Sequence, residues 1–178
     1  FGFIGNPNPT FQLGWNNSLT YKDFTLSFLV DGRFGGQVLS MTKMILDQYG
    51  VSKETGDARD RGYVAVNGVD GSGNAVSKVD PQTWYGAIGG RSGISEPYIY
   101  SATVVRLREA SLGYSFPIKN SFFHSIKASL IGRNLIYFYK KAPFDPELTM
   151  STGNGLSGVD VFNQPATRYM GLSLNLTF

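Results

Sequence analysis

The sequence predicts an all-β protein: about five C-terminal strands of a large antiparallel transmembrane β-barrel, with a long helix-containing extracellular loop. Apolar and polar residues alternate with a period of two in five segments. The connections between these segments are alternately short and long, and the last segment keeps one apolar face to the final residue. Glycine occurs 22 times and only 16% of residues are charged, below the roughly 25% usual in soluble domains.

The first two predicted strands form a hairpin over residues 11–21 and 24–34. Large apolar side chains such as Trp15 and Phe28 alternate with small polar ones, and Lys22-Asp23 separates the two segments as a tight turn. Each segment has about the 9–11 residues that a tilted strand needs to cross a bilayer.

Residues 35–100 break the period of two, which predicts an extracellular loop. Within it, Val38, Met41, Ile45 and Tyr49 recur at helical spacing and predict a helix that ends near Gly50. Residues 67–74 have turn composition. Loops of this length are uncommon in compact domains and are usually functional.

Three more strands are predicted at residues 101–116, 125–139 and 165–178, and a second extracellular loop at 140–164. Val105 and Leu107 have the opposite parity to Leu112. Either a bulge lies near Glu109, or these two side chains point into the lumen.

The strict alternation of connection lengths predicts the sidedness of the strands. Outer-membrane barrels carry short periplasmic turns and longer extracellular loops, which would place the C-terminus in the periplasm. A soluble β-sandwich has no reason to alternate loop lengths in this way. Five strands are too few to close a barrel, and open edges are not viable in hydrocarbon, so we expect further strands N-terminal to Phe1.

Several blocks of the sequence resemble the SusC/RagA-type TonB-linked outer-membrane transporters. These blocks occur in the family's order and extend to both ends of the chain, and 51–98 is the stretch without a match. They are Ile4–Pro9 with Gly14, Leu19–Phe24, Gly32–Gly36, Val105–Pro117, Gly132–Leu135, Asp145–Glu147 and Tyr169–Phe178.

The resemblance implies an outer-membrane barrel of about 22 strands with a plugged lumen, in a Bacteroidetes-type bacterium. It implies import of oligosaccharides, or of peptides in some members, driven by TonB and assisted by a SusD-like surface lipoprotein. Neither the plug domain nor the TonB box is in this sequence. The resemblance implies transport, not catalysis. The alternatives are a TonB-dependent receptor for siderophores or vitamins and a soluble carbohydrate-binding β-sandwich.

The last strand also resembles the signal that the barrel-assembly machinery reads. An edge strand that ends in an interfacial aromatic ring provides the physical basis for that signal. The residues that carry the resemblance are Tyr169, Gly171, Leu174, Leu176 and Phe178.

Four aromatic residues flank the long loop and are candidates for substrate binding: Trp84, Tyr85, Tyr98 and Tyr100. Flat rings match the apolar faces of sugars. The same residues could instead form the core of the loop or an aromatic girdle.

Other classes of site find little support. Cysteine is absent, and the net charge of +3 is too small and dispersed for a nucleic-acid surface. His124 is the single histidine and has no partners for a catalytic triad. Asp70-x-Ser72-x-Asn74 spaces oxygen ligands as a Ca²⁺ loop does, but no bidentate glutamate follows, which favours a turn. No metal or cofactor is predicted.

Overall fold

A computed structural model describes residues 2–118, 122–147 and 156–178. The chain divides into two compact units. One unit, called the loop unit here, comprises Phe1–Asn6, Gln37–Tyr100 and Thr149–Asn163. The other, called the wall unit, comprises Pro7–Gly36, Ser101–Leu148 and Gln164–Phe178.

The described part of the chain contains ten strands and three α-helices. The strands are β1 (Phe11–Tyr21), β2 (Phe24–Phe34), β3 (Gln37–Ser40), β4 (Val64–Val69), β5 (Ala75–Val79), β6 (Ile99–Ser101), β7 (Val104–Phe116), β8 (Ser125–Lys140), β9 (Val159–Asp160) and β10 (Tyr169–Thr177). The helices are α1 (Met41–Gln48), α2 (Lys53–Arg61) and α3 (Pro81–Ile88), and a 3₁₀ turn spans Glu96–Tyr98. No helix in these ranges is long and apolar enough to cross a membrane.

The wall unit is one antiparallel sheet with the strand order β1-β2-β7-β8-β10. This confirms the predicted antiparallel sheet of about five strands. The third strand begins at Val104, not 101, because Ala102 donates its N–H to Gly36 outside the ladder. The last begins at Tyr169, not 165; Pro165 has no N–H to donate to a ladder.

One face of the wall carries a row of leucines that crosses all five strands in register. The pairs are Leu19 with Leu26, Leu26 with Leu112, Leu112 with Leu130, and Leu130 with Leu172. Their exposed fractions run from 40% at Leu26 to 87% at Leu172. The opposite face, called the polar face here, pairs small hydroxyl residues, as in Ser18 with Ser27.

A bulge in β7 explains the change of parity. Leu29 pairs with Glu109 and Val30 pairs with Leu107, so Arg108 is the extra residue. Val105 and Leu107 therefore lie on the apolar face, opposite Gly32 and Val30. The bulge near Glu109 is confirmed, and it returns both side chains to the face of Leu112.

The turn at Lys22-Asp23 joins β1 to β2, with Lys22 in the left-handed region at a φ of 53°. Parts of two predicted connections, residues 119–121 and 148–155, lie outside the described residues.

In the loop unit, the predicted helix begins later than its periodicity indicated. Val38 lies in β3 and is buried, and α1 begins at Met41 because Ser40 adopts extended backbone angles and caps the helix. The helix ends at Gln48 with Tyr49 as its C-cap, and Gly50 follows at a φ of 68°. The predicted end near Gly50 is confirmed.

Other elements of the loop unit were not predicted. Helices α2 and α3 and the β4–β5 hairpin have no long periodic pattern, and β3 pairs in parallel with β9 across a large sequence separation. The predicted turn at 67–74 is narrower than expected, because residues 67–69 belong to β4. Asp70 accepts hydrogen bonds from the N–H groups of Ser72 (2.8 Å) and Asn74 (2.9 Å), which confirms a turn there.

Candidate functional site

The strand ends beside the short connections carry clustered aromatic rings. The ring centroids of Phe24 and Tyr114 lie 4.7 Å apart, and those of Tyr114 and Phe116 lie 4.9 Å apart. The ring centroids of Phe122 and Phe178 lie 5.5 Å apart, and those of Phe123 and Phe178 lie 5.2 Å apart. Amphipathic and aromatic rings in this position are typical of the girdles at membrane–water interfaces.

The proposed assembly signal lies on β10, at one edge of the wall sheet, with Phe178 directly after the strand. Leu174 and Leu176 are exposed on the apolar face. Tyr169 lies over Gly171, because a Cβ atom built on this glycine would be only 2.8 Å from the tyrosine hydroxyl oxygen. The ring therefore covers the backbone of a neighbouring residue on the same strand and the same face. Recognition by the assembly machinery stays a prediction.

The polar face of the wall holds a cluster of five charged side chains, called the ion cluster here: Asp31, Arg106, Arg108, Asp145 and Glu147. The Arg106 side chain is only 3% exposed. Its Nε donates to Asp31 at 3.1 Å, its Nη1 donates to Asp145 at 3.2 Å, and its Nη2 donates to Glu147. All three donor nitrogens of the guanidinium group are therefore bound to carboxylates.

Further bonds close the ion cluster. Arg108 donates to Asp31 at 2.6 Å and to Glu147 at 3.0 Å. The Tyr137 hydroxyl donates to Asp145 at 2.8 Å, and the Glu147 N–H donates to the other oxygen of Asp145 at 3.1 Å. In the sequence, Arg106–Arg108 and Asp145–Glu147 belong to separate blocks, and their contact was not predicted. Two arginines within a predicted membrane strand were the signal that could have indicated buried partners.

A second ion pair lies on the wall and differs from the cluster in exposure. Arg133 Nε lies 3.2 Å from Glu109 Oε2, and the arginine side chain is 60% exposed. Exposed pairs of this kind contribute little to stability, typically about 0–1 kcal/mol.

The four aromatic candidates divide in the loop unit. Tyr98 is 1% exposed and forms the core with Met44 and Ile88, against which Trp84 and Tyr85 pack. Burial, with the nearby Asp47 carboxylate, raises the pKa of the Tyr98 hydroxyl well above its ordinary value. Tyr98 is therefore a core residue, which corrects its place among the substrate-binding candidates, because a buried ring has no free face for a sugar.

Trp84, Tyr85 and Tyr100 are each partly buried. Tyr85 lines a pocket of about 230 Å³ together with Asp47, Gln82 and Arg59. A neighbouring pocket of about 610 Å³ shares Gln48 and Tyr49 with it. Substrate contact by the three partly buried rings stays a prediction.

Lys43 is the charged centre of the loop unit. Its ammonium group lies 3.0 Å from Glu54 and 3.6 Å from Asp47. Burial lowers the pKa of Lys43, but the two carboxylates outweigh burial and raise it above its ordinary value. The Glu54 pKa lies below its usual range because its own backbone N–H and Lys43 stabilise the carboxylate.

Residues 2–118, 122–147 and 156–178 provide no geometry for metal ligation. These ranges contain no cluster of three or more histidine or acidic side chains placed to hold a metal ion. The backbone N–H of His124 donates to the Thr177 carbonyl at 2.7 Å, beside the end of β10.

Comparison with known proteins extends over nearly the whole chain. No protein-family model matches it. Over 98% of its length the chain is 26% identical to TonB-dependent receptor P3 and 29% identical to TonB-dependent receptor P39, both of Formosa agariphila. The chain spans only 17% of the length of each of these relatives.

A solved structure with a similar fold is that of the RagAB peptide importer in the 'open-open' state. The TM-score is 0.56 at 16% sequence identity, over 96% of this chain and 17% of the solved chain. This likeness supports the assignment of the fold as a segment of a larger barrel.

Proposed function

We propose that the intact protein imports a nutrient across the outer membrane as a SusC/RagA-type transporter, since this chain is similar in sequence to TonB-dependent receptors and in fold to the RagAB peptide importer. The wall unit would supply part of the barrel. The loop unit would lie on the extracellular side, where it could meet substrate. The intact protein is then a transporter and not an enzyme.

The leucine row carries this proposal. Five exposed leucines in register, continued by exposed apolar residues such as Trp15 and Met170, would form a large apolar patch in water. In a bilayer the same face meets hydrocarbon, and the sheet satisfies the backbone N–H and C=O groups of its inner strands. The polar face would then line the lumen, and the strand ends at Lys22-Asp23 and Phe178 would lie in the periplasm.

The substrate class and partners follow from the family resemblance. We propose oligosaccharides, or peptides, as the cargo, with a SusD-like lipoprotein on the extracellular side and TonB as the source of energy. The RagAB peptide importer has a similar fold, which supports peptides as one class of cargo. Siderophore or vitamin import is the alternative, and a neighbouring gene for a SusD-like lipoprotein would separate the two.

A deletion in the full-length receptor tests the role of the loop unit. Replacing residues 51–96 with a short glycine–serine linker removes α2, α3 and the β4–β5 hairpin. We expect lower uptake of oligosaccharides or peptides, or weaker binding of the lipoprotein, while the barrel still shows the heat-dependent gel mobility of a folded membrane barrel.

The matched control replaces only residues 64–79, the β4–β5 hairpin, which forms a two-stranded sheet of its own. If uptake and lipoprotein binding both equal those of the wild type after the larger deletion, the loop unit has no such role. Purification of the full-length protein without detergent as a soluble monomer would contradict the membrane proposal itself.

A further inference from the structure

We propose that the ion cluster is a clamp that holds residues 141–147 against the polar face of the wall. Arg106 is then a positioning residue for import, a role that rests on the proposed function. The clamp joins three separate parts of the wall unit: Asp31 on β2, Arg106 and Arg108 on β7, and Asp145 and Glu147 beyond the end of β8.

The burial of Arg106 shows how much the clamp depends on its partners. An arginine that is 3% exposed requires carboxylates around it, because a buried charge without a partner is strongly unfavourable. Asp31 supplies one carboxylate from the adjacent strand, but the other two belong to 141–147. The guanidinium group is therefore fully paired only while this segment lies on the wall.

The segment itself is shaped to present both carboxylates. The Glu147 N–H donates to Asp145 within a tight turn, and Pro146 between them is fully buried. The Tyr137 hydroxyl holds Asp145 from β8. The carboxylates of Asp145 and Glu147 therefore reach the arginines together, and the five side chains of the ion cluster depend on one another.

The backbone of the wall does not depend on the clamp. The backbone of Arg106 pairs with Asp31 on one side and with Tyr137 on the other, between register shifts in the two ladders. Replacing its side chain leaves these backbone hydrogen bonds in place. The substitution changes the charge balance, because three carboxylates would then face Arg108 alone. Their mutual repulsion would favour release of residues 141–147 from the wall. If the polar face lines the lumen, the released segment would lie in the path of the substrate.

The test is Arg106→Met in the full-length receptor in detergent, measured by hydrogen–deuterium exchange and by uptake in cells. Methionine keeps the apolar bulk and removes the charge. We expect the amides of 142–147, proline excepted, to exchange roughly tenfold faster or more, with lower uptake and unchanged barrel gel mobility. Arg133→Met is the matched control, since its pair with Glu109 is exposed, and it should leave exchange at 142–147 unchanged.

A second variant covers the case in which Arg106→Met does not assemble. The double substitution Asp145→Asn and Glu147→Gln removes the two carboxylate charges of 141–147 and leaves the strands β2 and β7 unchanged, and we expect the same faster exchange. Wild-type exchange at 142–147 in both folded variants would overturn the clamp. Faster exchange with wild-type uptake would overturn the positioning role. A wild-type receptor that imports neither oligosaccharides nor peptides would contradict the proposed function, but the exchange test of the clamp would still hold.

Discussion

Ser40 joins three elements of the loop unit through one hydroxyl group. It ends β3, accepts a hydrogen bond from the Lys43 N–H at the start of α1 (3.2 Å), and donates to Asp160 of β9 (2.9 Å). Both Ser40 and Asp160 are buried. The loss of this hydroxyl would remove a helix cap and leave a buried carboxylate without this donor.

Ser40→Ala should therefore destabilise the loop unit by roughly 1–3 kcal/mol. Hydrogen–deuterium exchange of the α1 amides in the full-length receptor measures this change. Ser52→Ala is the control, because Ser52 caps α2 through Thr55 and makes no bond to a buried carboxylate. Equal exchange of the α1 amides in the Ser40 variant and the wild type would contradict the linking role.

The tyrosines and Lys43 make the loop unit sensitive to alkali. Burial raises the pKa of Tyr98 above the ordinary 10.0, and the Glu54 and Asp47 carboxylates raise that of Lys43 above 10.5 in spite of its burial. Groups with a raised folded-state pKa stabilise the fold fully below their unfolded pKa, and this stability is lost as pH rises through the folded pKa. The stability of the loop unit should thus fall from about pH 10 upward.

Thermal melts of the receptor between pH 8 and 12 test this expectation. Tyr98→Phe removes one of the titrating groups, so its stability should decline less steeply above pH 10 than that of the wild type. Identical slopes would show that Tyr98 does not contribute.

At the scale of elements, β10 shows how a strand separates its two faces. Leu172 belongs to the leucine row and is 87% exposed, whereas the adjacent Ser173 pairs with Ser129 on the polar face. In a bilayer, an arginine on the lipid side costs about 2–4 kcal/mol at the midplane. The same residue on the other face meets polar groups.

Leu172→Arg should consequently lower the amount of folded receptor in the outer membrane, and Ser173→Arg should lower it much less. Gel mobility before and after heating, applied to membrane fractions, measures the folded fraction. A similar loss in both variants would argue that β10 does not face lipid on its leucine side.

The bulge in β7 determines which side chains lie on the apolar face and which reach the ion cluster. The extra residue Arg108 shifts the parity of the strand, so that Leu107 and Leu112 share the apolar face while both arginines reach Asp31. Bulges often re-aim side chains near functional sites. Here the re-aimed side chains are two of the five members of the ion cluster.

At the scale of the whole molecule, the two units differ in architecture. The wall unit is a sheet with one apolar and one polar face, and the loop unit is a small α/β body with its own core around Tyr98. The loop unit has its own core and capped helices, so it is a folded body and not an irregular loop.

The sequence by itself determined the five wall strands, their two faces and the antiparallel order, because alternation with a period of two is a local property of each strand. It also determined the family blocks on which the resemblance rests. It did not determine the loop unit, whose short elements have no long periodic pattern. The start of α1 illustrates this, since Ser40 and the pairing of β3 placed it at Met41.

Only the tertiary structure decided which charged residues meet. Asp31, Arg106 and Glu147 are far apart in the chain, and their contact depends on strand register, on the bulge at Arg108 and on the turn at Asp145. It likewise decided that Tyr98 is core. The physical reason is that burial and ion pairing depend on contacts between distant segments, whereas the alternation that predicts a membrane strand is contained within the strand itself.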